Sequence, residues 1–70
     1  MNKVEFGIWM TENMELGLQI NAELEAAGLL RPVETGNDDV DRENTMYNAA
    51  ALILEMKKRY PERFRDLKVE

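Results

Sequence analysis

Asn37, Asp39 and Asp41 occupy alternate positions in "ETGNDDVDRE" and, with Glu34, Asp38 and Glu43, form the densest cluster of oxygen ligands in the chain. Alternating carboxylate and amide oxygens are how a helix-loop-helix calcium site begins. Such a site also needs glycine at its sixth position for the sharp turn and a bidentate glutamate at its twelfth. Counted from Asn37, those places hold Arg42 and Asn48. The spacing therefore implies no metal site. The same carboxylates at the start of a helix would cap its free amides and complement the positive end of its dipole. Their functional reading is an acidic patch of Glu34, Asp38, Asp39, Asp41 and Glu43 that docks on a basic partner surface.

Catalysis has little to work with, because the chain contains no His, no Cys and no Ser. Most pairings of nucleophile and base are thereby removed. Asp, Glu, Lys, Tyr and Thr remain, and a chain of 70 residues offers little volume in which to desolvate any of them. No catalytic residue, cofactor-binding residue, metal ligand or cofactor is assigned, and the chain is not expected to be an enzyme.

Nine basic residues against fourteen acidic ones give a net charge of −5, a balance that repels phosphate backbones and anionic lipid. The segment "ELEAAGLLRPVE" has the outline of a recognition helix ending in a turn. Around it, however, Glu12, Glu15, Glu23, Glu25 and Glu34 are answered only by Arg31. The basic residues Lys57, Lys58, Arg59, Arg63, Arg65 and Lys68 gather near the C-terminus, interleaved with Glu55, Glu62, Asp66 and Glu70. No apolar run approaches the roughly 20 residues of a membrane span. The opening "MNKVEFGIWMTENMEL" places a lysine and an acid in its apolar run, which is wrong for a signal peptide. With no cysteine to demand an oxidising compartment, a cytoplasmic protein is expected.

The elements that must position these groups start with "MELGLQINAEL", residues 14 to 24, whose apolar residues fall on every second position. Alternation is the signature of a half-buried strand, but strands usually run about five or six residues, and Met, Glu, Leu, Gln and Ala prefer helices. A helix over residues 11–27 is predicted, with Thr11 as its cap and Gly28 in the left-handed position past its end. Its apolar residues then form two stripes about 200° apart, Met14, Leu18 and Ala22 against Leu16, Ile20, Leu24 and Ala27. Such a helix has contacts to make in two directions. Ile20 is assigned to the core and Leu18, on the smaller stripe, to an interface.

Pro32 forbids helix in "LLRPVETGND", and Gly36 with Asn37 reads as a turn. A second helix over residues 39–60 follows, capped by Asp38, Asp39 or Asp41, its basic last turn of Lys57, Lys58 and Arg59 matching the dipole. Its apolar residues, from Val40, Met46 and Tyr47 to Leu54, Met56 and Tyr60, span an arc of roughly 220°, much wider than one neighbour requires. Leu52 falls outside that arc, beside Asn44, Asn48, Glu55 and Arg59, as a stray exposed leucine. Pro61 suits the first turn of a short helix carrying Phe64 and Leu67. The segment "VEFGIWM" reads equally as a strand or a helix, and Trp9 and most of the methionines are expected in the core.

The fold class is thus all-α, a single small domain of two main antiparallel helices, a short C-terminal helix and an N-terminal segment packed across them. The function expected is non-catalytic regulation or adaptation through a protein partner, as a homo-oligomer with Met14, Leu18, Ala22 and Leu52 at its interface. Two other readings are open: an acidic inhibitor that imitates nucleic acid, and a small DNA-binding regulator using the C-terminal basic cluster. The charge argument decides against the last. Purified protein should give no mobility shift of duplex DNA at physiological salt, whereas micromolar binding that weakens steeply with added salt would overturn it.

Overall fold

The computed structural model describes residues 2–67, and among them it is 74% helical, without strands. Helices α1 (Lys3–Glu12), α2 (Met14–Ala26), α3 (Asp38–Arg59) and α4 (Pro61–Phe64) follow in order. The alternation of residues 14 to 24 is therefore that of a helix with two apolar stripes. The N-terminal segment, legible either way in sequence, is helical too. Asn2 caps it, its side-chain oxygen accepting from the Glu5 amide at 2.8 Å.

The first predicted helix is in fact two. Thr11 does not cap; it lies inside α1, and its hydroxyl donates back to the Gly7 carbonyl at 2.9 Å. The break is at Asn13, which leaves helical geometry at φ −122°, ψ 38°. Its backbone amide and its side-chain amide both donate to the Trp9 carbonyl at 2.9 Å. Asparagine offers the backbone a local alternative to the helical bond, so it can end one helix and begin the next. Past the break, Met10 folds over Gly17, where a Cβ would overlap the Met10 methyl group. Glycine leaves room there for the flexible end of Met10, and no positive φ calls for it.

α2 ends as its sequence suggests. Gly28 takes φ 73°, its amide donates to the Glu25 carbonyl and the Leu29 amide to the Leu24 carbonyl, each at 3.0 Å. That pair of bonds is the Schellman closure, which satisfies the last carbonyls of a helix. The connector then runs back along α3 towards its N-terminal end. The Asn48 side chain accepts from the Arg31 amide at 2.8 Å and donates to the Arg31 carbonyl at 2.9 Å. One turn earlier, Asn44 donates to the Pro32 carbonyl at 2.7 Å. Asn37, not one of the aspartates, caps α3, accepting from the amides of Asp39 and Val40.

The two main helices pack against each other, with α2 on the C-terminal half of α3, where Arg59 meets Glu23 at 2.8 Å and Glu55 at 2.9 Å. Between them and α1 lies a core of Phe6, Ile20, Leu24, Met56, Phe64 and Leu67. Phe64 is its centre. Its ring is fully buried and takes Phe6, Trp9 and Tyr60 edge-on, with centroids 5.6, 5.0 and 6.4 Å away. Lys57 donates to the Leu67 carbonyl at 2.6 Å, fastening the residues after α4 to α3.

α3 is turned opposite to the reading of its wheel. The side bearing Asn44, Asn48, Leu52 and Arg59 faces the connector and α2, and Leu52 is half-buried against the core rather than a stray. Much of the apolar arc faces outward, leaving Val40, Met46, Tyr47 and Leu54 exposed while Met56 is buried and Ile53 partly so. Polar residues take the inner side because they bind backbone and charge there. Phe64→Ala should cost about 3–5 kcal/mol of stability in urea unfolding. Leu54→Ala, on the outer face, should change the monomer's stability by no more than about 0.5 kcal/mol.

Candidate functional site

The kink at Asn13 builds a shallow apolar groove. It brings Met10 of α1 beside Met14, Gly17 and Leu18 of α2, and α3 closes it with Leu52. Three of the four residues assigned to an interface from the sequence thus line one feature, with Met14 and Leu18 exposed and Leu52 half-buried. Ala22 is exposed on the same helix but does not line the groove. Of the two stripes of α2, one reaches the core with Ile20 fully buried, and the other is outward, with Leu18 64% exposed. Thr11 and Asn21 are the polar members of the lining, so the groove suits apolar side chains rather than a charged ligand.

The acidic cluster is less uniform than its sequence. Glu34, Asp38, Asp39 and Glu43 are exposed, but Asp41 is half-buried and engaged. The Thr35 hydroxyl and the Thr35 amide donate to one of its carboxylate oxygens at 2.6 and 2.9 Å. The Thr35 oxygen in turn accepts from the Asn37 amide at 3.3 Å. Asp41 therefore belongs to the turn before α3, with Gly36 in the left-handed region at φ 91°. Among the described residues no group of three or more carboxylates is arranged to hold a metal ion.

The basic cluster is partly engaged within the chain, Lys58 remaining exposed. Lys57 is held by the Leu67 carbonyl and Arg59 by two glutamates. Arg63 lies over the Trp9 ring, 5.8 Å from its centroid, and Arg65 stands 4.0 Å from Asp66. Lys68 lies outside the described residues. Among the described residues no helix is long and apolar enough to cross a membrane.

A second apolar surface was not assigned from sequence. It is the outer side of α3, where Val40, Met46, Tyr47 and Leu54 are exposed and Arg31 stacks on the Tyr47 ring at 3.8 Å. The wide arc was its signal. What sequence could not supply was the direction in which α3 turns that arc.

The Thr35 hydroxyl, its amide and the Gly36 amide hold the Asp41 carboxyl below its ordinary value. A depressed folded-state pKa stabilises the fold above the unfolded value, and that contribution is lost as pH falls through the folded one. Thr35→Val removes the strongest of these donors. The Asp41 carbon resonance should then titrate at higher pH than in the wild type, and an unmoved midpoint would contradict the assignment. Comparison with protein-family models, with curated proteins and with solved structures finds no match to this chain.

Proposed function

We propose that this chain is a non-catalytic regulatory or adaptor protein that acts through protein–protein contacts and does so as a homo-oligomer. The observation that supports this is the balance of its apolar side chains. Among the described residues eleven large hydrophobics are exposed, against six buried in the core. Scattered exposed apolar residues are ordinary. Five of these are grouped: Met14 and Leu18 flank one groove, and Met46, Tyr47 and Leu54 share one side of one helix.

Covering one Leu or Met side chain fully is worth about 1.5–3 kcal/mol, so a stripe of three is a driving force for association.

Sedimentation equilibrium at micromolar concentration should give a mass above that of one chain. Two substitutions should separate the stripes of α2. Ile20→Glu should abolish cooperative unfolding by placing an unpaired carboxylate in the core. Leu18→Glu should keep the wild-type helical spectrum. A wild type that stays monomeric throughout would overturn the proposed self-association.

A further inference from the structure

Resting on that proposed self-association, we infer that the second copy docks on the outer face of α3, as an antiparallel α3–α3 pair whose twofold axis passes Ala50. The spacing along this helix defines the seam. Glu43, Met46, Ala50, Ile53 and Lys57 recur at alternating intervals of three and four, the repeat that keeps one face of a helix against a partner helix. Tyr47 and Leu54 flank it on one side, both exposed, with Arg31 stacked on one face of the Tyr47 ring. Ile53, half-buried against its own core, forms the other edge.

Symmetry about Ala50 matches these residues by type. Met46 and Leu54 are each four positions from it, Tyr47 and Ile53 three, and Glu43 and Lys57 seven. An antiparallel pair therefore sets Met46 against Leu54 of the second copy, Tyr47 against Ile53, and Glu43 against Lys57. Ala50 meets its own equivalent at the axis. Its small side chain permits the near limit of the 8–10 Å or so between packed helices.

Charge fixes the direction. The first turn of α3 carries Asp38, Asp39 and Asp41, and its last turn Lys57, Lys58 and Arg59. Antiparallel pairing brings acidic ends beside basic ends and opposes the two macrodipoles, whereas parallel pairing would set like charges together. Lys57 spends one donor on the Leu67 carbonyl, and its ammonium has three. The seam from Glu43 to Lys57 is about 21 Å long, and it lies apart from the groove at Leu18, on the opposite side of α3 from Leu52.

The native chain contains no cysteine, so single cysteines report the pairing directly. Under mild oxidation a mixture of Met46→Cys and Leu54→Cys proteins should form the disulfide-linked heterodimer, and Met46→Cys alone should not crosslink. In sedimentation, Leu54→Glu should run at the monomer mass with its helical spectrum intact, while Leu18→Glu remains a dimer, the α3 seam taking the place of the interface expected from sequence at Met14, Leu18, Ala22 and Leu52. Crosslinking of Met46→Cys with itself would overturn the antiparallel arrangement. A wild-type dimer that Leu54→Glu leaves intact, or that Leu18→Glu dissociates, would overturn the α3 site while sparing self-association. A monomeric wild type would instead remove the reading on which the site rests.

Discussion

The burial of Phe64 is the contact on which the rest of this fold depends. A helix of four residues has no stability of its own, since nucleation costs more than so few backbone bonds return. α4 holds its place because Phe64 fills the space between α1 and the end of α3, with Phe6, Trp9 and Tyr60 packed edge-on around it. Edge-on aromatic pairs add about 0.5–1.5 kcal/mol each to their area burial. α1 is equally dependent. Its own apolar residues Val4 and Ile8 are exposed, and only Phe6 is buried. Pro61 is what allows the arrangement, because it ends α3 at Arg59 and turns the chain so that Phe64 and Leu67 come back over Met56.

The connector is the second constraint, and it explains why the wheel of α3 misleads. A stretch of backbone with no regular structure still needs partners for its amides and carbonyls. Asn44 and Asn48 supply them, one turn apart on α3. A side-chain amide has both donor and acceptor and can bind one peptide unit twice, as Asn48 does at Arg31. Once two asparagines and the Arg59 ion pairs occupy the inner side, the apolar arc is left facing out. Polarity on a helix signals solvent only where no other backbone comes to meet it.

Much of the architecture was legible because it rests on local physics. The extent of α3, the left-handed Gly28, the stop at Pro61 and the assignment of Ile20 to the core all follow from propensity, caps and periodicity. The kink at Asn13 was not legible. Asn37 caps as well as aspartate does, and Asn13 breaks the helix by donating back to the Trp9 carbonyl, but several neighbouring residues of each segment could have served, and only tertiary packing selects among them. Leu52 was misplaced for the same reason as the asparagines beside it. Of the surface residues singled out, Met14, Leu18 and Leu52 meet in one groove, whereas the acidic patch divides between exposed carboxylates and the engaged Asp41.

A few charges of this chain hold it together, while Glu34, Asp38, Asp39 and Glu43 stay exposed alongside its apolar surface. Arg59 is committed to Glu23 and Glu55, Lys57 to Leu67, and Asp41 to Thr35. A chain of 70 residues buries only about 60% of the surface its unfolded form exposes, so its core is small and its stability marginal. Apolar surface left outside such a core is both a hazard and a reserve. Whatever covers it binds the folded chain and not the unfolded one, and so raises stability by mass action. On the self-association proposed above, the contacts that define the partner would also complete the fold, because the outer face of α3 belongs to the same helix that anchors Phe64 and receives the connector.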